Sequence, residues 1–219
     1  MSLSATLRRV GAAAVVAGAA GTALGQTYSI VDLDTLGGPV TAGFGVNNLG
    51  HAAAASTLSE ADYHGMYWDG SVPTDIAPLA GDTQCWAFAV DGADRVVAMS
   101  YAFGSMQTHG FLWQQGTVTG LGGLAPRGIS NTGIVAGFIS VPDVDLLTVD
   151  HAATWYQGTV TDLGTLGGKT SYAAGVNGFG QAVGWSFVAG DMVVKAALWQ
   201  GGVAHDLGTL GGARSQAYS

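Results

Sequence analysis

The heptapeptide Asp162–Gly168, DLGTLGG, is repeated letter for letter at Asp206–Gly212. A close variant, DLDTLGG, occupies positions 32–38 near the beginning of the chain. Two adjacent glycines give the backbone access to left-handed conformations that other residues adopt only at a steric cost. The heptapeptide therefore predicts a tight corner, at which a strand ends and the chain crosses to the next structural unit.

Four tryptophans show that the corner belongs to a longer repeat. They are spaced by 45, 42 and 44 residues, at Trp68, Trp113, Trp155 and Trp199. An Asp or Gly stands seven residues after each tryptophan, and an Ile or Leu stands eight residues after it. These constant offsets indicate a tandem repeat and not a chance match.

Each repeat has the pattern of four short strands. In the last complete unit we predict strands over 171–176, 181–187, 193–199 and 203–207. A polar turn follows the first strand of every unit, at Asn47–Gly50, Asp91–Asp94, Ser130–Gly133 and Asn177–Gly180. None of these segments keeps a helical period over a useful length.

This pattern predicts the fold class. Four strands in about 44 residues are the size of one β-propeller blade. We therefore predict an all-β chain of tandem four-stranded antiparallel units that is β-propeller-like. A β-solenoid or a stack of hairpin sheets is the alternative.

The segments between the corners also recur. The strand that ends in tryptophan reads HGMYW at 64–68, HGFLW at 109–113, HAATW at 151–155 and KAALW at 195–199. This strand is preceded by a segment such as GVNGFGQAVGWS at 175–186. In this combination the chain resembles the bacterial extracellular HAF repeat family over residues 26–219. The resemblance implies an exported β-rich repeat protein and no defined reaction. The third unit departs from it by a shortening around Leu124–Pro126, and the fourth by Lys195 in place of His.

The first 25 residues have the pattern of a secretory signal peptide. Arg8 and Arg9 precede a run of small and apolar residues. Ala23-Leu24-Gly25 then places small residues at the two positions before the cleavage site that signal peptidase recognises. The apolar run is too short and too rich in Ala and Gly for a good membrane span. We expect cleavage before Gln26, a repeat domain over 26–219 without a membrane span, and a secreted or cell-surface location.

Charge and cysteine content exclude several classes of partner. Residues 26–219 carry five Lys and Arg against 15 Asp and Glu. An acidic chain of this kind is not suited to nucleic acid or to anionic lipid, because both need a basic surface. The single cysteine, Cys85, cannot form an internal disulfide, and its place in a strand of small residues predicts core packing.

Partial repeat pieces flank the four complete units. Residues 28–38 read as a fourth strand with its corner, and residues 213–219 read as the start of a first strand. We expect either four blades that close imperfectly or an incomplete array from a longer protein. An open array exposes a strand edge, which favours self-association.

The best candidates for a specific site lie outside the repeat register. The insertion VPDVDLLTVD at 141–150, which occurs only in the third unit, carries Asp143, Asp145 and Asp150. Their spacing is a weak indication of calcium binding, and a solvated loop is the simpler interpretation. Trp86 and Trp185 are out of step with the four repeated tryptophans, so they are candidates for an exposed stacking platform.

The repeated polar residues point instead to structural roles. His64, His109 and His151 share one repeat position, which predicts one structural hydrogen bond per unit more readily than a metal site. Asp162 and Asp206 begin the two identical corners, where a carboxylate commonly accepts backbone N–H groups.

No catalytic constellation emerges from the sequence. There is no Gly-x-Ser-x-Gly motif, and Glu60 is the sole glutamate, so a glycosidase would need a pair of aspartates. We expect an exported, non-catalytic protein without a cofactor, active in binding an extracellular ligand or protein or in surface assembly. The alternative is a propeller-based enzyme acting on extracellular polysaccharide, which would require Asp143, Asp145 or Asp150 to meet a His or Arg in one pocket. A third possibility is that the chain is a truncated fragment without a function of its own.

Overall fold

The structure, a computed structural model, describes residues 29–105, 107–146 and 148–218. The predicted signal peptide and its cleavage position lie outside these residues. All regular secondary structure in the described residues is β, and it consists of sixteen strands. No helix in the described part is long and apolar enough to cross a membrane.

The strands form four antiparallel four-stranded sheets in tandem, each a meander of consecutive strands. Sheet A contains β1 (Thr41–Val46), β2 (Ala52–Thr57), β3 (Tyr63–Trp68) and β4 (Pro73–Ile76). Sheet B contains β5 (Gln84–Val90), β6 (Val96–Tyr101), β7 (His109–Gln114) and β8 (Thr117–Gly120). Sheet C contains β9 (Ala125–Ile129), β10 (Val135–Pro142), β11 (Thr148–Tyr156) and β12 (Thr159–Gly164). Sheet D contains β13 (Gly167–Val176), β14 (Ala182–Val188), β15 (Val194–Gln200) and β16 (Val203–Asp206).

This architecture confirms the predicted all-β class of tandem four-stranded units. The four strands predicted for the last unit match β13 to β16 with small shifts at their ends. The set of sheets is open and does not close into a barrel. Small and β-branched residues fill the strands because they fit a pleated, partly buried surface.

The polar turn between the first two strands has the same construction in every sheet. In sheet A, Asn47 Oδ1 accepts the N–H groups of Leu49 and His51 at 2.9 and 3.0 Å. In sheet D, Asn177 Oδ1 accepts those of Phe179 and Gln181 at 3.0 and 3.1 Å. A side-chain oxygen thus accepts backbone N–H groups that have no cross-strand carbonyl partner in the turn. This role explains why Asn, Asp or Ser begins each turn.

The DLGTLGG segment forms a corner as predicted, but the chain turns at its first glycine and not at the adjacent pair. Asp162 Oδ1 accepts the N–H of Gly164 at 2.8 Å, and Asp206 Oδ1 accepts that of Gly208 at 2.7 Å. Gly164 and Gly208 have φ values of 67° and 74°, in the left-handed region. Of the adjacent pair on which the prediction rested, Gly167 has a φ of 99°, and both Gly167 and Gly168 already belong to β13. Thr165 Oγ1 accepts a third amide, that of Gly167, at 3.1 Å. The first copy of the corner carries the chain from sheet C into sheet D.

The hydrophobic core of the described residues consists of three clusters, one at each junction between consecutive sheets. One of the repeated tryptophans is buried in each cluster: Trp113 between sheets A and B, Trp155 between B and C, and Trp199 between C and D. Cys85 is fully buried in the first cluster, and this burial raises the pKa of its thiol to about 12. The thiol is therefore a packing group and not a nucleophile at neutral pH.

Every first strand contains a β-bulge at the same register. The extra residue in each case is Phe44, Phe88, Arg127 or Ala174. A bulge re-aims the side chain of the extra residue and increases local twist. It brings the Arg127 guanidinium over the ring of Phe88, 4.5 Å from its centroid, so the inner strands of sheets B and C are joined by a cation–π contact.

Candidate functional site

A groove of about 620 Å³ lies at the junction of sheets A and B. It is lined by His51, Tyr67, Asp69, Thr74, Asp75, Asp94, Trp113, Gln115 and Gly116. Sheet A supplies its residues from the β1–β2 turn, the end of β3 and the β3–β4 hairpin. Sheet B supplies its residues from the β5–β6 turn and the β7–β8 hairpin.

Three of these side chains form one hydrogen-bonded cluster. His51 Nδ1 lies 2.7 Å from Asp94 Oδ1 and 2.9 Å from the Tyr67 hydroxyl oxygen. Asn47 Nδ2 donates to the same Asp94 oxygen at 3.0 Å. The cluster therefore joins a tyrosine and a histidine of sheet A to a carboxylate of sheet B.

The protonation of the cluster follows from its surroundings. Burial, followed by the hydrogen bond to Asp94, raises the pKa of the Tyr67 hydroxyl well above its ordinary value. Tyr67 consequently remains a neutral hydrogen-bond donor at physiological pH. In the tautomer that carries a proton on His51 Nδ1, this N–H donates to Asp94 Oδ1.

The cluster has no equivalent in the other units at any of its three positions. The counterparts of Tyr67 are Leu112, Thr154 and Leu198. The counterparts of His51 are Arg95, Ile134 and Gln181. The counterparts of Asp94 are Gly50, Gly133 and Gly180.

Asp94 is also in a backbone conformation that favours glycine. Its φ is 59°, and the glycines at its three counterpart positions have φ values of 79° to 89°. An L-residue in this region costs about 1 kcal/mol or more, although aspartate tolerates it better than most. The chain thus keeps a carboxylate where glycine would suit the backbone, which is a pattern found at binding and catalytic sites.

The corresponding groove between sheets C and D lacks this chemistry. It has a volume of about 220 Å³, and Thr154 and Gly180 stand at the counterparts of Tyr67 and Asp94. Trp199 lines it as Trp113 lines the A/B groove. The two grooves therefore share a frame that includes a tryptophan and an aspartate, and the A/B groove is distinguished by Tyr67, His51 and Asp94.

The A/B groove presents hydrogen-bond acceptors beside two rings of the buried core. Asp69, Asp75 and Asp94 line it, and no Lys or Arg is among its described lining residues. The Tyr67 and Trp113 rings are 5.5 Å apart at an angle of 42°. Such a site can accept hydrogen bonds from hydroxyl or amine groups, while its charge disfavours anions.

A second cavity, of about 490 Å³, lies where the first turns of all four sheets meet. Its lining includes Val46, Val90, Ile129 and Val176 together with the turn residues that follow them. Neighbouring turns are tied together, since Asn47 Nδ2 donates to Asp91 O at 2.8 Å and Asn131 Oδ1 accepts the N–H of Gly92 at 2.8 Å. Asn47 contacts both Asp91 and Asp94, so it links this cavity to the A/B groove.

The insertion in the third unit is bound to sheet D by a lysine. Lys169 Nζ lies 3.0 Å from Asp143 Oδ1 and 2.6 Å from Asp145 Oδ2. The hydrogen bond from Lys169 holds the pKa of Asp143 below its ordinary value. Asp150 stands apart from this pair and accepts a hydrogen bond from Ser140 at 2.9 Å. Asp143 and Asp145 thus come together with a lysine, and not with a His or Arg.

Residues 29–105, 107–146 and 148–218 contain no group of three or more His, Cys, Asp or Glu side chains that could hold a metal ion. The repeated histidines lie in separate cross-strand pairs. His64 Nδ1 is 2.7 Å from Asp75, and His151 Nδ1 is 2.9 Å from Asp162. His109 contacts Asp82 at 2.9 Å instead, because Gly120 takes the corresponding aspartate position in sheet B.

Trp86 and Trp185 belong to a chain of ring contacts along the inner strands. The Trp86 ring is 5.5 Å from that of Phe44, and the Trp185 ring lies parallel to that of Tyr172 at 5.3 Å. Arg127 connects the two halves of this chain, because it covers Phe88 and donates to the Tyr172 hydroxyl at 2.8 Å. Both tryptophans are partly buried by these neighbours.

Sequence reasoning missed the cluster of Tyr67, His51 and Asp94. A usable signal was present, because an aspartate replaces glycine at the fourth position of one turn in a strict repeat. The convergence with a histidine and a tyrosine only appears once sheet A packs on sheet B.

Comparison with known proteins adds no identification. No family model matches the chain, and no curated protein sequence gives a significant match.

Proposed function

We propose that this chain is an exported, non-catalytic β-repeat protein that binds a neutral, hydroxyl-rich extracellular ligand, such as a glycan chain, in the groove between sheets A and B. Export is supported by the signal-like first 25 residues and by the resemblance to HAF repeats. Four blade-like antiparallel sheets in tandem agree with a β-propeller-like repeat protein.

The observation that carries the proposal is the departure from the repeat at Tyr67, His51 and Asp94. In a repeat protein, structural needs are the same in every unit, so each unit meets them with similar residues. A polar cluster that is confined to one groove, and that retains an aspartate at a positive φ, serves a need that this groove alone has.

The ligand class follows from the lining. Carboxylates accept hydrogen bonds from pairs of hydroxyl groups, and Asp69, Asp75 and Asp94 line the groove. Tyr67 and Trp113 line it as buried members of the core cluster at this junction. A uronate or phosphate would meet Asp69, Asp75 and Asp94 without a compensating Lys or Arg in the described lining. Neutral glycans are therefore preferred over acidic ones.

Titration calorimetry on residues 26–219 with neutral glucan, xylan and galactan oligosaccharides tests the proposal. Tyr67→Leu and Asp94→Gly install the residues of other units and should weaken binding by about tenfold or more, which is about 1.4 kcal/mol. Thr154→Leu makes the same kind of change in the C/D groove and should leave binding unaltered. Equal affinity of the two sets of variants would refute the assignment of the groove.

The same samples distinguish the enzymatic alternative. A release of new reducing ends from polysaccharide by the wild-type chain would favour a propeller-based enzyme over a binding protein. The contact of Asp143 and Asp145 with Lys169 favours a structural role for the insertion. N-terminal sequencing of the exported protein should give a mature chain that begins at Gln26.

A further inference from the structure

Residues 213–218 are bound to sheet D in the way that β13 is bound to sheet C. Ser171 Oγ accepts the N–H of Ala152 at 2.8 Å and donates to Gly164 O at 2.7 Å. Ser215 Oγ accepts the N–H of Ala196 at 3.0 Å and donates to Gly208 O at 2.6 Å. Ala152 and Ala196 hold the same repeat position, in β11 and β15.

Two further backbone hydrogen bonds fix this segment. The N–H of Ser215 donates to Val194 O at 3.2 Å, and the N–H of Ala217 donates to Gly184 O at 3.1 Å. Residues 213–218 thus occupy the place that the first strand of a following sheet would take on sheet D.

Beside this segment, the face of sheet D that carries Val183 and Leu198 remains open as a groove of about 400 Å³. The counterparts of Val183 and Leu198 in sheet A are Ala53 and Tyr67, which are covered by sheet B. The bulged part of β5 lies against this region of sheet A, so closely that a Cβ atom on Gly45 would stand 2.9 Å from Phe88 O. The groove on sheet D is therefore shaped to receive a bulged first strand.

Strand β1 has the features of such a strand and is itself exposed. It carries the same bulge, at Phe44, and Val46 is 71% exposed whereas its counterpart Val90 in β5 is 7% exposed. Thr41 holds the position of Ser171 and Ser215, and its hydroxyl donates to Asp34 O at 2.9 Å. Among the described residues, no backbone amide donates to the Thr41 hydroxyl.

We propose that the open face of sheet D is an acceptor for β1 of a second copy of this chain, and that residues 213–218 compete for the same place. In the assembled form, the Thr41 hydroxyl of one copy accepts a hydrogen bond from the Ala196 N–H of the next copy. In the single chain this N–H donates to Ser215 Oγ instead. The contact repeats the three internal junctions and is head-to-tail, so it leads to rings or filaments. It goes beyond ligand binding in the A/B groove and does not depend on it.

The competition sets the concentration at which assembly begins. A tethered segment acts at an effective concentration on the order of millimolar. In dilute solution residues 213–218 therefore occupy the place on sheet D in preference to β1 of a second copy. The wild-type chain is expected to be monomeric at micromolar concentration. Release of the segment removes this barrier.

Sedimentation velocity on residues 26–219 over a concentration series tests the proposal. Ser215→Pro removes both the N–H and the hydroxyl that hold the segment, and should convert the monomer into concentration-dependent oligomers. A synthetic peptide of residues 206–218 should reverse this association, and the same peptide with Ser215→Ala should do so less well. Circular dichroism on each sample checks that the sheets remain folded.

The location of the contact is tested by a matched pair of lysine substitutions in the Ser215→Pro chain. Val183→Lys places a charge in the groove and should abolish association. Phe179→Lys changes a side chain that is 92% exposed at a turn outside the groove, and should leave association unchanged. If Ser215→Pro impairs folding, the wild-type chain at millimolar concentration replaces it, and Val183→Lys should then lower its association. A folded Ser215→Pro chain that stays monomeric, or association that is insensitive to Val183→Lys, would overturn the proposal.

Discussion

Ser171→Ala is the most direct perturbation of the contact between sheets C and D. The Ser171 side chain is fully buried, and its hydroxyl connects the Ala152 amide of β11 to the Gly164 carbonyl. The carbonyl keeps a second donor after the change, because Trp199 Nε1 lies 3.3 Å from it. The Ala152 amide has no such substitute and would be left unpaired in the core.

The magnitude follows from this asymmetry. A typical hydrogen bond contributes about 1 kcal/mol net, and a buried donor left without a partner costs about 1–3 kcal/mol. We therefore expect Ser171→Ala to lower the free energy of unfolding by about 2–3 kcal/mol. Ser171→Cys should cost less, because Cys85 fills the same position in sheet B and its thiol accepts the Gly65 amide.

Urea unfolding of residues 26–219, followed by circular dichroism, measures the effect. Ser215→Ala is the matched control, since it removes the same two hydrogen bonds from a partly exposed position where water can replace the hydroxyl. Its expected cost is at most about 1 kcal/mol. If Ser171→Ala and Ser215→Ala cost the same within about 0.5 kcal/mol, the argument from the buried amide is wrong.

Two further predictions concern close packing and charge. Gly184→Ala should destabilise the chain by about 3 kcal/mol or more, because a Cβ atom there would overlap the Tyr172 carbonyl oxygen, whereas Gly120→Ala meets open space and should change thermal stability little. The Lys169 contact lowers the pKa of Asp143, so its contribution to stability is present above the unfolded-state pKa of about 3.9 and is lost as the pH falls through the lower folded value. Unfolding curves across the acidic range should therefore show a weaker pH dependence for Lys169→Met than for wild type; an unchanged dependence would contradict this assignment.

The resemblance to HAF repeats remains a prediction from the sequence. It rests on the recurring corner, the polar turn and the strand that ends in tryptophan. The structure gives each of these a physical role within one sheet or one junction. Those roles account for the repetition without reference to any activity, so the function is better sought in the residues that depart from the repeat.

The sequence by itself determined the local architecture. The four polar turns and the DLGTLGG corner could be predicted because their hydrogen bonds join residues that are two to four positions apart, such as Asn47 with Leu49 and His51, or Asp162 with Gly164. The strand pattern and the period could be predicted because meander sheets pair only strands that are neighbours in sequence. Three of the repeated tryptophans, Trp113, Trp155 and Trp199, share one packing role because they hold the same position in equivalent sheets.

Only the tertiary structure decided which side chains meet. Tyr67 and Asp94 are joined to His51 across distances of 16 and 43 residues, and they come together because sheet B packs on sheet A. The insertion with Asp143 and Asp145 meets Lys169 from the next sheet, and the bulge in β9 places Arg127 on the rings of its neighbours. A repeat pattern specifies the frame of every junction equally, whereas the chemistry of one groove depends on side chains from two units that no local pattern relates.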